Sequence, residues 1–129
     1  MMDTATLCGI AAGGALGACS RFVLSNFCYA RFGTHFPWGT LCVNIVGSIL
    51  AGGLVGASMG GEMLAPVWTD ALAKGYLGAL TTFSTFTLDT LACFRQGKPA
   101  RGLANIVLNL GACLAGTATG YTTGYLLTS

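Results

Sequence analysis

One segment of the chain, residues 75–89, combines hydroxyl and aromatic side chains in a pattern that could bind an anion. The hydroxyl residues between positions 81 and 87 are Thr81, Thr82, Ser84, Thr85 and Thr87. Phe83 and Phe86 stand among them, three residues apart and therefore on one face of a helix. Hydroxyls donate hydrogen bonds, and an aromatic ring is positive at its edge, so both side-chain types can meet an anion without carrying charge.

Two glycines, Gly75 and Gly78, precede these hydroxyls and predict a weak point in a helix. At membrane depth, a broken helix has to be buried in protein or line a wet cavity, and its freed carbonyls can bind a cation. The alternative interpretation is that the hydroxyls bond back to carbonyls four residues earlier and that the rings are core. Five hydroxyls beside a weak point favour the functional interpretation.

Three amides and one arginine are further polar groups within apolar stretches. Asn44, Asn105 and Asn109 could line a pore, or could link helices by hydrogen bonds worth about 0.6 kcal/mol each. Asn105 and Asn109 lie one turn apart, so they could form a polar stripe. Arg21 could reach the membrane interface or set the topology, and we favour that role over a functional one.

The composition requires a membrane around these groups. Of 129 residues, 53% are hydrophobic and 8% are charged, with a mean hydropathy of +0.70, whereas soluble domains carry roughly 25% charged residues. A transmembrane helix needs about 20 mostly apolar residues. Four stretches qualify, and they cover residues 4–29, 37–60, 71–94 and 102–127. The sequence predicts an all-α membrane protein with a single four-helix domain, residues 1–129, and a break in the third helix.

Glycines recur at every fourth residue along three of the predicted helices. The sets are Gly9, Gly13 and Gly17; Gly52, Gly56 and Gly60; and Gly116, Gly120 and Gly124. A helix face without side chains lets backbones approach closely, which is how helices associate in lipid. The spacing therefore predicts a dense bundle and an oligomer.

Basic residues are distributed unevenly between the connections. The side of the first and third connections holds Arg31, Arg95, Lys98 and Arg101. The other side has Lys74, so the positive-inside rule places both termini outside. Four helices cannot divide into two inverted halves, and any inverted symmetry has to come from a second copy of the chain.

Three segments resemble the Fluc (CrcB) fluoride channels in order and spacing. They read GGALGACSR at 13–21, WGTLCVNIVGS at 38–48 and GYLGALTTFSTFTLD at 75–89. The resemblance covers essentially the whole chain, is weakest in the fourth helix and is most specific in TTFSTF. It implies a multi-pass protein of the bacterial inner membrane, packed as an antiparallel, dual-topology homodimer with two fluoride pores.

The resemblance also implies a pore lined by aromatic, amide and hydroxyl groups. The rings of Phe83 and Phe86 would contact fluoride with their edges. The other groups assigned to the pore are Asn44, Thr82, Ser84, Thr85, Asn105 and Asn109. The two fourth-helix asparagines stand where the family usually has a tyrosine and a serine.

A structural cation is implied as well. The backbone carbonyls of Gly78 and Thr81 would hold a Na⁺ ion at the dimer centre. The family's arginine near the end of the first helix corresponds to Arg21. The third segment ends in Asp89, where the family usually has glutamate.

The predicted activity is passive, selective export of fluoride that gives resistance to it. No Asp, Glu or His lies near the middle of a predicted span, which argues against proton coupling. A small multidrug-resistance exporter needs a glutamate deep in the first helix, but the only acid in the first fifty residues is Asp3. A non-transporting assembly subunit would explain the glycine faces but not the hydroxyl segment.

Two other classes fit the sequence poorly. An enzyme is not expected, because no His/Ser/Asp or His/Glu constellation falls within a span. The net charge of +2 is too small to suggest nucleic-acid binding. The expected partners are therefore fluoride, a second copy of the chain and the lipid bilayer.

Overall fold

The computed structural model describes residues 3–61 and 64–129, and the regular elements in these two ranges are all helical. The helices are α1, Thr4–Phe32; α2, Trp38–Gly60; α3, residues 66–80; α4, Phe83–Arg95; and α5, Pro99–Thr128. Helix α3 joins a first turn, Pro66–Asp70, a π-helical segment, Ala71–Leu77, and a last turn, Gly78–Leu80. In the described ranges, α1, α2 and α5 are long and apolar enough to cross a membrane. The prediction of an all-helical chain able to cross a membrane several times is confirmed.

Local sequence explains where these helices begin and end. Asp3 caps α1 by accepting a hydrogen bond from the Thr6 N–H at 2.9 Å, and the bonds from Thr6 lower the pKa of its carboxyl. Gly33 and Gly61 follow α1 and α2 with φ of 84° and 115°, a region that favours glycine. Pro66 opens α3, which therefore begins earlier than the predicted third span.

Glycines bring α2 and α5 into close backbone contact. A Cβ atom on Gly56 would run into the Tyr121 carbonyl, and one on Gly120 would run into the Ile49 carbonyl. The other members of the two predicted sets also face the opposite helix. The prediction that these glycine faces are packing surfaces is confirmed for this pair.

Helices α1 and α3 pack by the same device. Gly13 and Gly17 of α1 face the backbone of the π-helical segment at the Ala71 and Tyr76 carbonyls. Gly75 faces back, since a Cβ there would lie 2.6 Å from the Ile10 carbonyl oxygen. Gly75 is therefore a packing residue as well as a member of the irregular π-helical segment, and the prediction that it weakens the helix stays a prediction.

The predicted helix break is present, but it lies after the glycines. Gly78 keeps right-handed helical angles, with φ −61° and ψ −32°. The chain becomes extended at Thr81 (φ −83°, ψ 157°) and Thr82 (φ −149°, ψ 116°). A side chain of α2 stabilises the break. The sequence around the break does not by itself predict that contact.

Large apolar side chains cover much of the outside of the bundle. Examples are Leu16, Phe22, Val55, Leu114 and Leu127, which are all exposed. The fully buried side chains include Val43, Leu80 and the polar Asn105. A surface this apolar suits lipid or another apolar partner, and a polar residue in the core needs partners of its own.

Candidate functional site

Asn44 of α2 holds the break by bonding to both backbone groups of Thr82. The Thr82 N–H donates to Asn44 Oδ1 at 2.8 Å, and Asn44 Nδ2 donates to the Thr82 carbonyl at 3.1 Å. The amide thus satisfies a donor and an acceptor that a continuous helix would have satisfied internally. The site is built around this clamp.

Three predicted hydroxyl residues cluster at the start of α4. Thr82 caps the helix, because its Oγ1 accepts a hydrogen bond from the Thr85 N–H at 3.2 Å. The Thr82 Oγ1 also lies 3.0 Å from Thr85 Oγ1 and 3.3 Å from Ser84 Oγ. Thr82 is buried, whereas Ser84 and Thr85 are exposed. A helix N-terminus lined with hydroxyls is favourable for negative charge.

The break redirects two backbone donors away from the carbonyls predicted to bind sodium. In a continuous helix, the N–H groups of Thr82 and Thr85 would bond to the carbonyls of Gly78 and Thr81. They bond instead to Asn44 Oδ1 and Thr82 Oγ1. Gly78 and Thr81 also line one open groove of about 420 Å³. The oxygens therefore fit a hard cation, which binds to oxygen ligands.

Phe83 and Phe86 form a ring pair beside this clamp, as their spacing predicts. Their centroids are 5.4 Å apart and the ring planes are inclined at 52°. Phe86 is buried, whereas 76% of the surface of Phe83 is exposed. Both rings line a cavity of about 240 Å³ together with Asn44 and Asn109. Aromatic rings and amides therefore face the same space.

The two asparagines of α5 extend the polar cluster away from this cavity. Asn44 Nδ2 donates to Asn109 Oδ1 at 3.0 Å, and Asn109 Nδ2 donates to Asn105 Oδ1 at 2.9 Å. Asn105 Nδ2 donates to Thr90 Oγ1 at 2.9 Å. Asn109 lines the cavity, but Asn105 is fully buried behind it. The structure brings the predicted amides together and places only one α5 amide at the cavity.

Arg21 shares a second cavity with residues of the break. This cavity of about 380 Å³ has Thr40, Thr82 and Thr85 in its wall, along with Ser25 and Asn26 of α1. The guanidinium lends positive charge to a space whose other polar groups are hydroxyls and an amide, which attracts anions. Arg21 therefore lies beside Thr82 and Thr85, two residues assigned to the pore, and a role at the membrane interface alone does not require that position.

The sequence analysis assigned no role to Thr90 or Thr40, which both join the polar network. Thr40 Oγ1 donates to Asp89 Oδ2 at 2.6 Å, and Thr90 Oγ1 donates to the Phe86 carbonyl at 2.7 Å. A helical signal existed for both, since Thr90 follows Phe86 by four residues and Thr40 precedes Asn44 by four. Each therefore shares a helix face with a predicted site residue.

These features define a small, multi-pass helical membrane protein with a cluster of amide and hydroxyl side chains beside a broken helix. The chain belongs to the CrcB family: residues 8–121 match the family described as "CrcB-like protein, Camphor Resistance (CrcB)". The resemblance seen in the three sequence segments is thereby confirmed.

Curated relatives carry a functional name. A protein of Photobacterium profundum, "Fluoride-specific ion channel FluC", is 42% identical over 121 residues, which cover 93% of this chain and 95% of the relative. Proteins of the same name from Vibrio cholerae and Vibrio parahaemolyticus are 47% and 43% identical. Those alignments cover 84% and 87% of this chain, and 86% and 88% of the relatives.

Proposed function

We propose that the chain forms a fluoride-selective channel, which exports cytoplasmic fluoride passively and so gives fluoride resistance. The observation that carries the proposal is the uncharged polar cluster of Asn44, Asn109 and Thr82 beside the rings of Phe83 and Phe86. Relatives named fluoride-specific ion channels, at 42% and 47% identity, support the choice of ion. The chain therefore acts as a channel and not as an enzyme.

Neutral groups suit this ion because dehydration is its main barrier. Fluoride is small and strongly hydrated, and a selective pore has to replace its water with contacts that are favourable but weak enough to release it. Amide donors, hydroxyls and ring edges meet this requirement, whereas a fixed ammonium group in the pore would bind too tightly. We assign ring-edge contacts to Phe83 and Phe86. Asn44 and Asn109 would form the polar wall beside the rings, since their amide protons already donate to groups within the cluster.

The hydroxyls at the start of α4 are proposed to continue the path. Ser84 and Thr85 are exposed, and Thr85 shares the Arg21 cavity with Thr82. The hydrogen bonds between Asn44 and Thr82 link the wall of the Phe83–Phe86 cavity to the wall of the Arg21 cavity, which supports one continuous polar route. Arg21 would raise the local concentration of anions at this end.

We further propose that α3 and α4 together form one crossing, so that the chain crosses the membrane four times. Two copies would pack as an antiparallel homodimer in the bacterial inner membrane, with two pores. The exposed ring of Phe83 and the exposed backbone of Gly78 support this, since a second copy would cover both. Inverted symmetry between copies also matches a chain whose own helices cannot supply it.

A structural Na⁺ ion at the centre of that dimer is part of the proposal. The supporting observation is that the carbonyls of Gly78 and Thr81 have lost the N–H donors of Thr82 and Thr85. A bound Na⁺ would coordinate these oxygens in place of the lost donors and hold the two copies together. The side-chain face of Gly78 is open, since a Cβ there would meet only the Ala73 carbonyl oxygen, at 3.8 Å.

The proposed role in cells follows from weak-acid chemistry. Hydrogen fluoride crosses membranes from an acidic medium, dissociates in the neutral cytoplasm and is trapped as the anion. A passive channel lets the inside-negative membrane potential drive the anion out.

Growth of a bacterial strain that lacks fluoride exporters tests this function. Expression of the chain should restore growth in fluoride, most visibly at low external pH, and Phe86→Ile should restore it less well. Equal fluoride sensitivity with and without the chain, despite normal membrane expression, would sink the proposal. Protection from cationic drugs instead of fluoride would favour a multidrug-resistance exporter, and protection from neither would favour a non-transporting assembly subunit.

A further inference from the structure

The hydrogen bonds of the polar cluster have a direction that is set by the backbone. The chain of bonds starts at the Thr82 N–H, which can only donate. The Asn44 atom that faces it, 2.8 Å away, therefore has to be Oδ1, and Asn44 Nδ2 has to point towards Asn109. The orientation of this amide thus follows from chemistry, although oxygen and nitrogen of an amide have similar shapes.

The same direction continues through the two α5 amides to a second backbone group. Asn109 accepts from Asn44 at 3.0 Å and donates to Asn105 at 2.9 Å, and Asn105 donates to Thr90 Oγ1 at 2.9 Å. The Thr90 hydroxyl donates to the Phe86 carbonyl at 2.7 Å, and a carbonyl can only accept. Both ends of the chain are backbone groups of the same segment, and both impose the same direction.

We infer that Thr90 is a positioning residue for the proposed fluoride path. Its hydroxyl accepts from Asn105 Nδ2, which keeps Asn105 Oδ1 facing Asn109, the α5 amide that lines the cavity. Thr90 is buried and is not among the residues that line the cavity of Phe83 and Phe86. It therefore acts through the two α5 amides and does not contact the ion. The inference rests on the proposed function.

Thr90 positions Asn105 through its side-chain oxygen, which accepts the hydrogen bond from Asn105 Nδ2. Valine has nearly the same shape but offers no oxygen, so Thr90→Val leaves Asn105 Nδ2 without this acceptor in a fully buried position. The Asn105 amide can then turn over and present Nδ2 to Asn109, whose own Nδ2 has to move away. Neighbouring bonds in such a chain polarise one another, so the disturbance reaches Asn109 at the cavity.

Fluoride efflux from liposomes that contain the purified protein tests the inference. Initial rates of Thr90→Val, Thr90→Ser and the control Thr122→Val are compared with wild type. Thr122 of α5 makes the same type of back-bond, from its hydroxyl to the Ala118 carbonyl at 2.8 Å, but is exposed and outside the chain of amides. Loss of one buried hydrogen bond predicts about tenfold slower efflux for Thr90→Val. Thr90→Ser keeps the hydroxyl and should conduct at nearly the wild-type rate, as should Thr122→Val.

A double variant keeps the test decisive if Thr90→Val folds poorly. Thr90→Val combined with Asn105→Leu replaces both partners by apolar groups of similar shape, which can be nearly neutral for stability. It should fold and still conduct slowly, because the chain of amides is broken.

Folded Thr90→Val that conducts as fast as Thr122→Val, or Thr90→Ser as slow as Thr90→Val, would overturn the inference alone. A double variant that folds and conducts at the wild-type rate would also overturn it. Wild-type protein that releases no fluoride would overturn the proposed function itself, and this inference with it.

Discussion

Asn44 is the residue on which the site depends most. The sequence left two interpretations open for it, a pore group or a link between helices. The structure gives its side chain two partners on the backbone of Thr82 and a third in Asn109. Asn44 therefore links helices, and it also lines the Phe83–Phe86 cavity, where the proposed pore role places it.

Substitution Asn44→Asp tests whether the amide protons of this side chain hold the break. Aspartate keeps the shape and the acceptor oxygen, but the Thr82 carbonyl and Asn109 Oδ1 lose their donor. We expect a loss of unfolding free energy of about 1–3 kcal/mol and little fluoride efflux. Thermal unfolding in detergent and liposome efflux measure the two effects.

The matched control for this change is Asn26→Asp, which places the same charge on an exposed position of α1. It should keep the wild-type unfolding midpoint. If Asn44→Asp also keeps that midpoint, the clamp does not stabilise the break.

At the scale of the elements, the sequence predicted which segments are helical more accurately than it predicted the position of the break in the third span. Composition and glycine spacing were sufficient for α1, α2 and α5, because a long apolar stretch has to be helical in lipid. The break lies at Thr81 and Thr82 because a side chain of α2, at position 44, accepts the Thr82 N–H. Local sequence cannot reveal a partner 38 residues away.

The candidate site was predictable to a similar degree. Residue types and spacing identified the ring pair and the amides, since Phe83 and Phe86 share a face at any helical geometry. Thr90 and Thr40 were missed because they join the site through hydrogen bonds to residues on other helices. These partners are Asn105 for Thr90 and Asp89 for Thr40. Threonine within a helix usually bonds only to its own backbone, so its type alone gives no signal.

Packing of α2 on α5 makes a prediction at this scale. A Cβ on Gly120 would meet the Ile49 carbonyl and would lie 3.0 Å from the Gly53 nitrogen, so Gly120→Ala has to push the helices apart. We expect it to lower the unfolding free energy by about 1–3 kcal/mol, as overpacking does. Thermal unfolding in detergent gives the measurement.

Gly111→Ala provides the control on the same helix, because nothing lies within 4 Å of a Cβ at that position. Alanine favours helix more than glycine does, so this variant should unfold at the wild-type temperature or above it. Equal effects of the two substitutions would show that close approach at Gly120 does not hold α2 and α5 together.

The whole molecule presents a contrast between its apolar surface and its uneven charges. The basic residues at positions 31, 95, 98 and 101 favour one orientation in the membrane. The proposed antiparallel dimer requires both orientations. Fusions at the C-terminus to alkaline phosphatase, active outside the cytoplasm, and to a fluorescent protein, folded inside it, distinguish the two cases.

Dual topology predicts that both fusions report activity at comparable expression. Removing one basic residue should then change the ratio of the two orientations, because only a few residues create the bias. Arg101→Gln should increase the fraction of copies that have the first and third connections outside. If one fusion alone is active in wild type and in Arg101→Gln, the copies do not insert in opposite directions.

The central claim is that the whole molecule passes fluoride selectively and without coupling to protons. The most direct measurement uses liposomes that contain the purified protein and are loaded with potassium fluoride, with release followed by a fluoride electrode. We predict rapid release only after a potassium ionophore is added, none from chloride-loaded vesicles under the same conditions, and slow release for Phe83→Ile and Phe86→Ile. Absence of fluoride release from well-folded protein, or release that requires a pH gradient instead of the ionophore, would contradict the account.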